Sequence, residues 1–282
     1  MKKIIYDLGS NNGDNIPYYL LKSDLVVAVE ANPKLCEIIK KNFKKDIDNG
    51  KLVVENCIVT VLPDNEDRDF YLHRQHHVLS QFLAPNKSIL DQYLQVKLPS
   101  RNIISIIKDY GEPYYIKIDL EHYDSYILKE LLLRNVYPKY LSIESHSGEI
   151  IDLIIQNGKY KSFKLVDGSQ VPKRYKNRII NNINYSFPTH SAGPFGNDID
   201  GQWMEEKNFL FLLSVVGFGW KDIHCSLEDK PSKYYFPVQI IFYSKKKLIR
   251  RIIKIVIFFI VIYFASINFF FNLAQTTFYM IH

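Results

Sequence analysis

Acidic residues stand where short apolar runs stop. Asp7 follows Ile4 and Ile5, Glu30 follows Leu25 to Val29, Asp119 and Glu121 follow Tyr114 to Ile118, and Glu144, with His146 close behind, follows Tyr140 to Ile143. Ligands of open α/β sheets bind beyond the carboxyl ends of the strands, so this convergence predicts a site built on Asp7, Glu30, Asp119 and Glu144. Carboxylates accept hydrogen bonds from hydroxyls, orient a reacting group or take its proton. Any one of them alone has a plain structural reading: Asp119 or Asp124 would equally serve as the cap of the helix that Ile127, Leu128, Leu131 and Leu132 predict.

Between the first two acids lies a turn that reads Asp7-Leu-Gly9-Ser-Asn11-Asn-Gly13, followed by Ile16, Tyr19 and Leu20 at helical spacing. Strand, glycine-rich turn, helix, strand and acid form a ribonucleoside cradle. Glycine lets the backbone approach a ligand closely, the helix start offers unpaired N–H groups, and Glu30 is positioned to accept both ribose hydroxyls. The turn lacks the third glycine of a dinucleotide fingerprint, and Asp14 sits where a pyrophosphate would approach. S-adenosylmethionine has no phosphate and carries a sulfonium cation, which suits Asp7, Asp14 and Glu30. An ordinary βαβ turn with surface acids is the bland alternative.

The elements that must hold these residues alternate. Pro33 opens a helix with Leu35, Ile38, Ile39 and Phe43 on its apolar face, and Lys51 to Val61 is a β-prone run interrupted at Asn56 and Cys57. A strand over Asp69 to Leu72 follows the turn at Pro63-Asp64-Asn65. Residues 73–100, polar and punctuated by Pro85 and Pro99, are expected to cross the open end of the sheet. Ile103, Ile104 and Ile107 predict a short helix before Gly111, Ile150, Leu153 and Ile154 another, and Lys164 to Val166 a strand. The alternation predicts an α/β fold with a doubly wound, mainly parallel sheet. Residues 168–202, rich in Asn, Pro, Ser and Gly, read as a lid or substrate loop. A helix is expected over Trp203 to Val216, and Trp220, Asp222 and His224 alternating about Ile223 predict a half-buried strand.

The chain of 282 residues suits one good-sized α/β core, and its formal charge of +6 is partly local, in Lys40 to Lys45 and in Lys245 to Arg251. No stretch alternates basic and aromatic residues, so a nucleic-acid partner is not expected. The three cysteines, Cys36, Cys57 and Cys225, read as reduced packing residues, and no Cys/His group has metal-ligand spacing. The first strand begins by residue 4, which leaves no room for a signal peptide. Residues 252–274 are 23 positions with one charge, Lys254, long enough to cross a bilayer as a helix. The basic cluster before them predicts a C-terminal single-pass anchor with the catalytic domain on the cytosolic side. A buried strand pair or a surface-lying helix is the alternative. The expected division is a globular domain over 1–240, a basic linker over 241–251 and the apolar helix over 252–274.

Three segments, Asp7-Leu-Gly-Ser-Asn-Asn-Gly13, Val27-Ala-Val-Glu-Ala-Asn-Pro33 and Ile116-Lys-Ile-Asp-Leu-Glu121, resemble those of the FkbM-type methyltransferases in content, order and separation. The resemblance covers roughly residues 1–225. It implies a class I methyltransferase fold with a seven-stranded sheet, S-adenosylmethionine as methyl donor, and O-methylation, often of sugar hydroxyls in a glycan or glycoconjugate. It further implies that Gly9, Asn11 and Gly13 line the methionine part, Glu30 the ribose and Cys57 the adenine, with Asp119 beside the transferring methyl. His146 and His122 are the best general bases by residue type, with Asp119 as base or orienting group. The family pattern has glycine after the acid matching Glu121, and this chain has His122, which would narrow the site or add a base. Two rivals follow from that departure and from the turn: a noncatalytic S-adenosylmethionine-binding module, and a nicotinamide-linked oxidoreductase.

Overall fold

The structure is a computed structural model that describes residues 2–232 and 252–257. Contacts divide the chain into two compact units, the first formed by Met1–Phe209 with Phe218–Lys233 and the second containing Leu210–Gly217 and the chain from Tyr234 onward. The candidate site belongs wholly to the first.

Seven strands form the main sheet: β1 (Ile4–Leu8), β2 (Leu25–Glu30), β3 (Leu52–Asn56), β4 (Pro113–Ile118), β5 (Tyr140–Glu144), β6 (Ser162–Asp167) and β7 (Lys221–Ser226). Their spatial order is β3-β2-β1-β4-β5-β7-β6. The first five are parallel, and β7 runs antiparallel between β5 and β6. Crossover helices connect the parallel strands, as such strands require. They are α1 (Ile16–Lys22), α2 (Pro33–Asn42), α3 (Ile103–Tyr110), α4 (Asp124–Leu133) and α5 (Gly148–Asn157). Local signals set their ends. Asn32 caps α2 by accepting the Lys34 N–H at 3.1 Å, with Pro33 in the first turn, and Gly158 closes α5 in the left-handed conformation.

The turn is reversed at the middle of the sheet by backbone contacts. Gly9 and Ser10 both donate to the Val29 carbonyl, at 3.0 and 3.1 Å, and Asp119 donates to the Leu8 carbonyl at 3.1 Å. Strand β1 is thereby locked to both neighbours at the point where the chain turns away. Apolar residues of β1, β2, α1 and α2, such as Ile5, Val26, Tyr19 and Ile39, share one buried cluster with Phe187, Phe195 and Trp203.

Four segments differ from their sequence reading. Residues 73–100 do not simply cross the sheet: Asp67–His73 and Tyr93–Asn102 pair antiparallel as a hairpin arm, and Ile58–Thr60 adds to it in parallel. The interruption at Cys57 is the bend that separates β3 from that third strand. Part of 168–202 packs into the core, around Phe187 and Ala192 to Phe195, and part forms a largely exposed hairpin. The Phe195 ring stacks on Tyr115 at 4.0 Å, and the hairpin pairs Arg178–Ile180 with Ile183–Tyr185. The helix expected from Trp203 starts at Glu206, because the Trp203 indole is held by Asn197 at 3.0 Å and Met204 bridges Phe163. Finally, β7 is buried along its whole length instead of half-buried, and it pairs with a strand on each side.

Among the described residues no helix is long and apolar enough to cross a membrane. Of the expected apolar span 252–274, only 252–257 are described, as helix; the rest lies outside the described residues.

Candidate functional site

A cavity of about 500 Å³ opens at the carboxyl ends of β1, β2 and β4. The turn after β1 forms its floor. Gly9 has φ +82°, and a Cβ there would lie 1.9 Å from the Asp119 carbonyl oxygen, so no other residue fits without moving the backbone. Asn11, also at positive φ, donates its backbone N–H to Glu30 Oε2 at 2.8 Å, and Asn32 N–H reaches Oε1 at 2.8 Å. Each carboxylate oxygen keeps a lone pair directed elsewhere. Burial, opposed by these two backbone bonds, raises the Glu30 pKa to about 7. Asn11 Oδ1 is buried without a hydrogen-bond partner. A group with hydroxyls and an amine entering above the turn would satisfy these acceptors.

The centre of the site is an ammonium group at the end of β4. Lys117 is buried, with Nζ 2.8 Å from Asp119 Oδ2 and 3.9 Å from Asp7 Oδ1, and Asp7 is its register partner across the β1–β4 pair. Burial would lower the Lys117 pKa, but Asp119, Asp7 and Asp222 outweigh it and hold the group protonated. Burial raises the Asp7 pKa to about 6, with Lys117 acting in the opposite direction, and it raises Asp222 strongly. Glu121 is lifted to about 8 by burial and by Asp119 and Glu144. Six carboxylates, Asp14, Glu30, Asp119, Glu121, Glu144 and Asp222, line the cavity against one lysine ammonium among the described lining residues. Because burial raises the pKa of Glu30, Glu121 and Asp222, the lining offers hydrogen-bond acceptors and protonated acids rather than a uniform negative field, and its one lysine is already paired with Asp119.

Gly9, Asn11, Glu30, Cys57 and Asp119 all line this cavity. Asp7 and Gly13 support it from behind: Asp7 through Lys117, Gly13 by a close approach to Ile16, Ile39 and Phe43 that a Cβ would crowd at 3.1–3.2 Å. Asp124 accepts the Leu120 N–H at 3.0 Å and so closes the loop that carries Glu121 and His122. His122 is exposed and lies outside the cavity lining, at φ +70°. Glycine adopts that conformation freely, which is a physical reason for the family's glycine here and shows that the imidazole does not narrow the cavity. His146 also lies outside the lining. Its Nε2 is 3.0 Å from Glu144 Oε2, and this contact, opposed by partial burial, raises its pKa to about 9. Among the described residues no group of three or more His, Cys, Asp or Glu is arranged to hold a metal ion.

Several lining residues were not named individually in the sequence reading, which gave 168–202 only as a lid or substrate loop and 73–100 only as crossing the open end of the sheet. Gln75, His76, His77, Val78 and Phe82 arrive on the loop between the two strands of the hairpin arm, where His73 Nδ1 accepts the backbone N–H groups of Gln75 and His76 at 3.2 and 3.0 Å. His190 and Ala192 come from the segment tied to α1 by Asn15, whose Oδ1 accepts from Ser191 Oγ and the Ala192 N–H. Trp220 and Asp222 enter from the start of β7. An antiparallel strand brings its amino end to the edge where parallel strands bring their carboxyl ends, so a search of carboxyl ends alone passes over them.

The His146–Glu144 pair sets a pH dependence. A histidine whose folded pKa is raised from 6.5 to about 9 contributes stability that is complete below 6.5 and lost as pH rises through 9. Wild-type melting temperature is therefore expected to fall across that window, and His146→Gln to flatten the profile there. Equal slopes for the two proteins in thermal melts from pH 6 to 10 would remove the ion pair from the account.

Comparison with known proteins gives the family of the chain. The methyltransferase FkbM domain matches residues 7–161, more than half of the chain. No curated protein matches it. Solved structures that it resembles include the methyltransferase FkbM from Methylobacillus flagellatus, at 15% identity over 55% of this chain and 36% of that one, with a TM-score of 0.35. The C-terminal domain of precorrin-6Y C5,15-methyltransferase from Rhodobacter capsulatus matches at 10% identity over 80% and 79% of the two chains, with a TM-score of 0.37. A SAM-dependent methyltransferase from Aquifex aeolicus matches at 16% identity over 59% and 77%, with a TM-score of 0.29. The chain thus spans about a third (36%) of the length of the Methylobacillus protein. From the turn at Asp7 to the end of α5 and just beyond, the chain belongs to the FkbM methyltransferase family.

Proposed function

We propose that this protein is an S-adenosylmethionine-dependent O-methyltransferase that acts on a sugar hydroxyl of a glycan or glycoconjugate. The observation that carries the reading is a single cavity with a nucleoside cradle, Gly9, Asn11 and Glu30, at one end and an acid cluster held by Lys117 at the other. The residues present fit the donor: Glu30 retains acceptor capacity for two ribose hydroxyls, and Asn11 Oδ1 lacks a partner. Cys57, with Ile58 and Val59, offers the apolar wall that an adenine needs.

Bound there, S-adenosylmethionine would supply a methyl group made electrophilic by the sulfonium. Asp119, with about a third of its side chain exposed (35%), would accept a hydrogen bond from the acceptor hydroxyl and take its proton as the oxygen attacks. Lys117 fixes the Asp119 carboxylate in place at 2.8 Å. His146 carries its own proton at neutral pH through its contact with Glu144, so in this reading Asp119 is the base. Alignment and proton removal together account for the chemistry asked of the protein.

Asp119→Asn keeps shape and hydrogen-bonding capacity but removes the charge. Turnover with labelled donor and a glycan extract should fall at least about 10²-fold, while donor affinity measured by calorimetry changes little. Wild-type turnover in this variant would exclude Asp119 as the base, and failure of the wild-type protein to bind S-adenosylmethionine would end the proposal.

The same proposal includes a membrane anchor over 252–274 with the catalytic domain on the cytosolic side, supported by the apolar span and the basic cluster before it. Removal of residues 245–282 should turn a membrane-pelleting protein into one that stays in the supernatant and still binds donor. Full-length protein that never pellets with membranes would contradict the anchor.

A further inference from the structure

One lining residue has the chemistry of a platform. Trp220 precedes β7, lines the cavity and remains 45% exposed. Its position is fixed by the backbone beneath it. Gly168, at the end of β6, donates its N–H to the Trp220 carbonyl at 3.2 Å. A Cβ on Gly168 would lie 2.4 Å from indole Cε2 and Nε1, so the bare glycine is the floor on which one face of the ring rests. Trp220 lines the cavity and is only partly covered. Two residues further on, Asp222 lines the same cavity, 4% exposed and beside the Lys117 cluster.

We infer that Trp220 is the acceptor-binding platform, stacking the apolar face of a neutral pyranose ring while Asp222 and Asp119 accept hydrogen bonds from its hydroxyls. The inference rests on the sugar-methyltransferase reading and deepens it. A pyranose has one face of C–H groups and a rim of hydroxyls, and an indole beside carboxylates complements both. Lys117, the one lysine among the described lining residues, is already held by Asp119 and Asp7, so a phosphate or carboxylate would find no free ammonium here and the acceptor ring is neutral. A rigid platform also loses little conformational freedom on binding, and Gly168 supplies that rigidity.

The test uses fluorescence and kinetics on the full-length protein. The chain has two tryptophans, and Trp203 is buried, so Trp203→Phe leaves Trp220 as the only indole reporter. Titration with methyl glucoside, methyl galactoside, methyl mannoside and methyl rhamnoside, and with catechol as a planar control, should shift its emission with at least one glycoside. For a glycoside that is methylated, Trp220→Ala should raise the acceptor KM about ten-fold or more with donor affinity unchanged, and Trp220→Phe should restore most of the loss. Gly168→Ala, which displaces the indole without changing it, should raise the acceptor KM in the same direction. Methylation of a glycoside with KM unmoved in both Trp220→Ala and Gly168→Ala would overturn the platform and leave the sugar reading standing. An emission shift with a glycoside that is not methylated would support the platform and count against the methyltransferase reading. A shift with catechol alone would overturn both.

Discussion

A buried ammonium cannot stand alone in a protein interior, and this constraint shapes the centre of the molecule. Lys117 is 2% exposed at the end of β4, where an unpaired charge would cost several kcal/mol. Asp7 from β1, Asp119 from the end of its own strand and Asp222 from β7 answer it. Three separate parts of the chain are thereby drawn to one point. The arrangement is reciprocal, because without Lys117 two buried carboxylates and one half-open one would repel each other. Fold and site thus share one electrostatic keystone: the ion cluster that closes the middle of the sheet also forms the acidic end of the cavity.

Around that cluster the cavity is shaped by backbone that side chains would obstruct. Gly9 lets the turn lie against the Asp119 carbonyl, and Gly168 lets Trp220 lie flat. Glu121 and His122 both take positive φ at the end of β4, an arrangement that ordinary residues disfavour, and the Asp124–Leu120 bond holds the loop in it. The result points Glu121 into the cavity and His122 out of it. His146, paired with Glu144, holds a proton at neutral pH; His76, His77 and His190 line the cavity.

Much of this was legible in the residues. Apolar runs that end on acids located β1, β2, β4 and β5, because strands of a parallel sheet covered on both faces read as mostly apolar runs, with Asp7, Glu30 and Glu144 at or next to their last residue. The glycine turn and Glu30 were legible for the same local reason. What lay beyond reach was long-range. The hairpin arm of Asp67–His73 and Tyr93–Asn102 is mixed in polarity and carries Pro99, so its alternation is faint, and its loop reveals its place only through pairing. Strand β7 arrives from more than fifty residues after β6 and inserts in the opposite direction, which no local pattern encodes. Trp203 and Phe195 read as helix and lid, and tertiary packing against Tyr140 and Tyr115 decided otherwise.

The most direct measurement is a crystal structure of the protein with S-adenosylhomocysteine, the product of the donor, bound. The account predicts both ribose hydroxyls on the Glu30 carboxylate, the adenine against Cys57 and the sulfur facing Asp119 across the turn at Gly9. Density for the nucleoside away from Glu30, or a sulfur turned away from the Lys117–Asp119 pair, would contradict it.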